Sequence, residues 1–358
     1  LSTVENMAGI SRLVTVFGGS GFLGQEVVSQ LVAQGTRVRV AVRNPSSLHP
    51  SALGPEGHIE SVTCDITDKE SVANALHGSD AAVNLVGILY ESGRSRTFDG
   101  MHHVGAKNIA EAAAAGGLNA LVHVSAIGAD ASSPSGYARS KAAGEKAVLT
   151  QFPSAVVLRP SVVFGERDNF FNQFADMARF LPILPVMGLG HTSQSSQALL
   201  PQTGAASIHR RSQWGGVLFQ PVYVGDVASA IVASLDPDGA AMHPPPSSSF
   251  SGQRIYELGG PDVYDFANLM EVVMKYSGRR RLLFPIPRPV ALVQGTLLGL
   301  LPHPLLTLDQ VLLMDRDNVV SGTLPTLAEL NLKPTSVDEI VPTYLGGEIG
   351  RASCRERV

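Results

Sequence analysis

Apolar positions in the first half of the chain fall into two alternating periods. Short β-rich runs at Leu13–Phe17, Arg37–Val42, Glu60–Cys64, Ala81–Val86 and Ala120–Ser125 read as strands. Helical spacing between them predicts helices over Gly21–Gln34, Asp68–Leu76 and Arg96–Ala115. A further helix from Tyr137 to Leu149 and a strand at Ala155–Leu158 follow. Strands that alternate with helices in this way predict an α/β fold, a Rossmann-type doubly wound parallel sheet. The second half is less regular and predicts a smaller, irregular C-terminal lobe. Phe170–Phe180 reads as a helix, and Gln220–Asp226 restores order, with Asp226 placed to cap a helix over Val227–Leu235. Helices near Phe266–Ser277 and Thr326–Leu330 bracket the apolar segment Pro289–Met314. That segment is broken by Pro302 and Pro304, short of the ~18 residues of a membrane span, and reads as a buried or interfacial helix pair.

The first strand–helix junction carries the strongest chemical signal. Gly18-Gly19-Ser20-Gly21-Phe22-Leu23-Gly24 places glycines at Gly18, Gly21 and Gly24 between a strand and an amphipathic helix. A dinucleotide asks for this order. The first glycine allows the tight turn, the second lets the backbone approach the pyrophosphate, and the third packs helix on strand. Ser20 and Phe22 lie in the same loop, and the pyrophosphate would sit against free amides at the helix N-terminus. Strand two ends Val42-Arg43-Asn44 with no carboxylate to accept from a ribose 2′-hydroxyl. Arg43 can instead pair with a 2′-phosphate, supported by Arg39, which favours NADP(H) over NAD(H); the alternative is that Arg43 is a solvated strand-end charge. Asp65 and Ile66 suit the adenine, and Asn84 with Gly87 suits the adjoining ribose.

Tyr137 and Lys141 stand four apart on one predicted helix face, with Ser125 ending strand five. The trio suits carbonyl–alcohol redox chemistry, with hydride transfer left to the cofactor. Lys141 would bond the nicotinamide ribose and lower the phenol pKa, Tyr137 would exchange the proton, and Ser125 would hold the substrate oxygen. A Y-x-x-x-K pair also arises as an ordinary exposed helix start. His102, His103, His191, His209 and His243 show no metal-ligand spacing and read as surface or loop residues. Arg279-Arg280-Arg281 reads as a solvated face or a contact for an acidic partner or lipid headgroup.

Composition narrows the class without choosing within it. The chain has 358 residues, 44% of them hydrophobic, and a net charge of −4, so nothing global points to nucleic acid. Cys64 and Cys354 are the only cysteines, which predicts neither a disulfide framework nor a thiolate metal site. The organisation expected is a nucleotide-binding domain over residues 1–165 and a mixed lobe interleaved with the sheet over 166–350. That lobe holds low-complexity loops at 188–213 and 236–251, and a tail follows at 351–358. A start at Leu1 rather than Met fits either a removed presequence or a chosen boundary.

The phrases Val83-Asn84-Leu85-Val86-Gly87, His123-Val124-Ser125, Tyr137–Glu145, Arg159–Gly165 and Gln220–Val227, with the glycine loop, resemble an extended or atypical short-chain dehydrogenase/reductase. Within that superfamily they resemble the nucleotide-binding accessory subunits (alpha subcomplex subunit nine) of mitochondrial respiratory complex I and their bacterial relatives. The resemblance spans roughly residues 11–280. It implies tightly held NADPH in a structural, non-catalytic role that supports assembly and stability of the peripheral/membrane arm junction. It also implies other complex I subunits as partners and a peripheral place on the matrix side of the mitochondrial inner membrane, with membrane association through the complex and through 289–314. Gly18, Gly21, Gly24, Arg43, Asp65, Asn84, Tyr137 and Lys141 would contact the nucleotide. The insertion Gly188–Gln213 and the patch near Pro244 depart from the pattern where a substrate lobe would close. The other reading is an active NADPH-dependent reductase on a small carbonyl or sugar-like substrate, with Ser125, Tyr137 and Lys141 in use.

Overall fold

A computed structural model describes residues 12–44, 58–187, 207–208, 216–236, 254–302 and 304–346. The predicted loops at 188–213 and 236–251, the tail, Leu1 and Cys354 lie outside these residues, apart from the short strand at 207–208 and Asp236. In chain order the first half comprises β1 (Leu13–Phe17), α1 (Phe22–Ala33), β2 (Arg37–Val42), β3 (Ile59–Thr63), α2 (Lys69–Leu76) and β4 (Ala81–Asn84). It continues with α3 (Gly105–Ala115), β5 (Ala120–Val124), α4 (Gly136–Gln151) and β6 (Val156–Pro160). The second half begins with β7 (Val163–Phe164), α5 (Phe170–Phe180), β8 (Ile183–Val186), β9 (Ser207–Ile208), β10 (Leu218–Phe219), β11 (Val222–Tyr223) and α6 (Val224–Leu235). It ends with β12 (Ile255–Leu258), β13 (Asp262–Asp265), α7 (Phe266–Ser277), β14 (Leu282–Pro285), α8 (Arg288–Leu298), α9 (Leu308–Leu313) and α10 (Val337–Leu345).

Seven parallel strands form the main sheet in the order β12-β6-β5-β4-β1-β2-β3. Its first six strands follow the doubly wound order, and the direction of winding reverses between β1 and β4. Both faces are covered, which is why β1, β4 and β5 are buried at every position. Val14, Val16, Val27, Leu31, Val227 and Ile231 belong to the core that α1 and α6 close. Phe17, Ala82, Leu121, Ile109 and Val148 belong to the core on the α2, α3 and α4 side. The sheet is completed from the second half, since β12 joins β6 and α6 lies against α1. A second core holds the smaller lobe, centred on Phe164, Phe171, Tyr264, Phe266 and Met270.

Most predicted elements sit within one or two residues of their observed bounds, and the departures have local causes. The fourth strand stops at Asn84, because the Asn84 Oδ1 accepts from the Val86 N–H and turns the chain outward. The expected helix Arg96–Ala115 begins only at Phe98–Asp99 and opens as a π-helical turn, Asp99–Val104, that leads into α3. Asp226 does not cap α6: that helix starts at Val224, and the carboxylate accepts from the Thr335 N–H and hydroxyl instead. Arg39 does not support Arg43. It donates to Glu60 and to the Ala75 and His77 carbonyls at the end of α2, where a cation meets a helix C-terminus.

Candidate functional site

A cavity of about 600 Å³ opens at the carboxyl ends of β1, β2, β3 and β4, where the sheet order reverses. Of the residues expected to hold a nucleotide, Gly18, Ser20, Gly21, Arg43, Asp65, Ile66 and Gly87 line it. Gly18 has φ +82°, a conformation that glycine adopts without strain. A Cβ on Gly21 would meet only the Gly18 carbonyl within 4 Å, so the loop backbone is open on that side. Gly24 lies behind the wall: a Cβ there would stand 2.2 Å from the Gly18 carbonyl, so its role is close packing of α1 on β1. Phe22 likewise points away, its ring near Gly165.

The N-terminus of α1 has no side-chain cap, whereas Asp68, Ser135 and Asp265 cap α2, α4 and α7. Uncapped amides beside a glycine loop suit an anionic group. Arg43 is exposed at the rim. Asp65 accepts from the Thr67 N–H and hydroxyl, which, with Arg43 nearby, hold its carboxyl below the usual range. Asn84 is buried below the floor, tied to Val86 and His123, and acts on the cavity through the loop it turns.

Tyr137 and Lys141 come together behind the wall at Gly87, and Lys141 reaches the strand end that precedes Ser125; none of the three lines the cavity itself. The Lys141 Nζ lies 5.9 Å from the Tyr137 ring centroid and donates to the Val124 carbonyl at 3.2 Å. A Cβ on Gly87 would approach that Nζ to 3.2 Å, which puts the lysine directly against the cavity wall. Burial pulls Lys141 down to about 8. The phenol moves opposite to the direction expected from a neighbouring ammonium: burial, and then the Asp309 carboxylate, push Tyr137 up to about 12.

Three residues at or beside the cavity escaped sequence reasoning. His102 is buried, not a surface residue; its Nε2 accepts from the Ile88 N–H, so the Nδ1 carries the proton and donates to the Ser140 Oγ at 2.9 Å. Burial, with Lys141 and His123 close by, depresses it to about 2, so it is neutral. The π-helical turn that places it had no period to reveal it. Asp309 comes from α9, far along the chain, and accepts from the Ser135 hydroxyl and the Gly136 and Tyr137 amides at the start of α4. Arg96 also lines the cavity, and its Nε is buried without a partner.

The residues present fit a nicotinamide dinucleotide. The glycine cradle is one that side chains would close, Arg96 lines the same cavity with its buried Nε unpartnered, and behind the wall the buried Ser125 Oγ and His123 Nε2 have no partner either. Among the described residues no group of His, Cys, Asp or Glu could hold a metal ion.

Comparison with known proteins agrees with this geometry. Residues 18–160 match a family model described as NAD(P)H-binding. The chain is 32% identical to the NADH dehydrogenase [ubiquinone] 1 alpha subcomplex subunit 9, mitochondrial, of Arabidopsis thaliana, covering 90% of this chain and 74% of that protein. It is 31% identical to the subunit of the same name from Mus musculus, over 91% of this chain and 78% of that one. A solved structure of DesIV, a dTDP-glucose 4,6-dehydratase from Streptomyces venezuelae, superposes with TM-score 0.61 at 19% identity, covering 93% of this chain and 95% of that one. That likeness speaks to the fold alone.

Proposed function

The chain belongs to the family of the mitochondrial NADH dehydrogenase [ubiquinone] 1 alpha subcomplex subunit 9, and from that membership and the site we propose that it is a non-catalytic, NADPH-binding accessory subunit of NADH:ubiquinone oxidoreductase. Its partners are the other subunits of that complex, and its place is peripheral, on the matrix side of the mitochondrial inner membrane. The nucleotide stabilises the fold by mass action, since it binds the native state and not the unfolded chain.

One observation supports the reading: in a chain of this family, the glycine loop, the uncapped start of α1 and Arg43 border one cavity at the point where the sheet order reverses. The bound group would supply hydride chemistry; the protein's own residues hold and shield it. The N-terminal amides of α1 and Gly18–Gly21 would take the pyrophosphate, Arg43 the 2′-phosphate, Asp65 and Ile66 the adenine. Asn84 would set the Leu85–Gly87 loop along the ribose, and Lys141 would bond the nicotinamide ribose, with Tyr137 beside it. Ser125 would meet the nicotinamide end with its unpartnered hydroxyl.

Complementation of cells lacking the subunit tests this directly. Tyr137→Phe should restore assembled complex to the wild-type level, whereas Gly21→Trp, which fills the cradle, should not. Failure of Tyr137→Phe despite normal folding would favour the reductase reading.

A further inference from the structure

Exposed large apolar side chains are concentrated in one stretch of the smaller lobe. Beyond Leu89, every such residue among those described falls in Phe180–Ile183 or Leu282–Leu308. Strands β8 and β14 pair in parallel with Leu282 opposite Ile183, and the alternation puts Leu282 and Phe284 on the same outer face, 72% and 58% exposed. Two residues later α8 begins. Its inner stripe is small, Ala291 and Gly295, and a Cβ on Gly295 would approach the Thr307–Leu308 backbone to 3.0 Å. Its outer stripe is Val290, Val293 and Leu297, and Leu300 continues it at 82% exposure. No Asp, Glu, Lys or Arg occurs from Pro289 to Leu308. A helix apolar on both faces leaves its outer face for something other than water.

The charge beside this surface selects what covers it. Arg279-Arg280-Arg281 leads directly into β14. Among the described residues the Arg281 guanidinium meets the Ala178 and Arg280 carbonyls and no carboxylate, so its charge stands, and Arg280 is exposed. Apolar side chains that project beside a cluster of cations suit an anionic lipid bilayer, with the apolar groups below the headgroups and the guanidiniums among the phosphates. No described helix is long and apolar enough to cross a membrane, so the element would lie in the interface.

We propose that β14, α8 and the turn through Leu301 form a lipid-docking surface that inserts into the headgroup region of an anionic bilayer. The proposal gives the membrane placement of the subunit its own physical contact, and it stands whether or not the nucleotide is structural.

Flotation of the purified full chain with vesicles tests it. The chain should float with vesicles of equimolar phosphatidylcholine and phosphatidylglycerol, and several-fold less with phosphatidylcholine alone. Added salt should weaken the anionic component. Replacing Val293, Leu297 and Leu300 together by Ser should cut partition at least about tenfold, since each buried apolar group contributes. Because all three are exposed, the melting temperature should be unchanged, and Arg280→Ala should reduce only binding to anionic vesicles. No flotation, equal flotation on both vesicles, or full flotation of the triple variant would overturn the proposal. A dimer that the triple variant dissociates while lipid binding persists would overturn it too, and would assign the face to a second copy.

Discussion

At the scale of single residues, the site divides into groups that touch the cavity and groups that shape it. Gly18, Gly21, Arg43 and Asp65 line the space, while Gly24 and Asn84 act from behind, one by close packing and one by turning a loop. In the proposed function Arg43, which lines the cavity, reads the 2′-phosphate. A lost charge-assisted bond of ~1.5–3 kcal/mol corresponds to roughly a ten- to hundredfold change, so Arg43→Ala should weaken NADPH by that factor and leave NADH nearly unchanged in titration calorimetry. Equal losses for both would remove Arg43 as the reader of the 2′-phosphate. Lys141 gives a pH signature. Burial lowers it to about 8 from an ordinary 10.5, so between those values the unfolded chain binds more protons than the folded one. Stability should therefore rise through that window from this group, whose unfavourable burial is felt fully below it. Denaturant midpoints of the nucleotide-free protein should show this rise, and Lys141→Met should flatten it. These positions were legible to different degrees. The glycine loop, Arg43 and the Tyr137–Lys141 pair announce themselves by type and spacing, because their chemistry is local. His102 and Arg96 carry no such pattern; only the folded chain shows that one is buried and the other turned into the cavity.

At the scale of elements, period located most strands and helices of the first half, since the central strands β1, β4 and β5 are buried at every position and their apolar runs are unambiguous. The errors arose where a tertiary contact outcompeted a local preference. Asp226 looked like a cap and serves Thr335; Arg39 looked like a phosphate partner and serves the end of α2. The start of α4 is the most informative case. Its own Ser135 caps it, accepting from the Ala138 amide, and Asp309 from α9 adds three hydrogen bonds over the same turn. The helix that carries Tyr137 and Lys141 is thus held by the smaller lobe. Asp309→Ala should cost about 1–2 kcal/mol, the usual range for a lost helix cap. Hydrogen exchange at the Gly136–Ala138 amides should accelerate in the variant. Unchanged exchange would mean that Ser135 suffices and that α9 merely rests against the helix.

At the scale of the whole molecule, the doubly wound sheet provides the nucleotide cavity, and the smaller lobe both buttresses α4 and presents the apolar ribbon and helix. The fold class follows from strand–helix alternation. The completion of the sheet by β12 could not be read from order, because the pairing joins segments about a hundred residues apart. A reductase must release its oxidised cofactor in each cycle, whereas a structural nucleotide stays. The decisive measurement is native mass spectrometry, with analysis of released nucleotide, on the protein isolated from its source membranes. The account predicts the chain within a large respiratory assembly, holding NADPH in one-to-one ratio. A free monomer or dimer with an empty or freely exchanging site would contradict it.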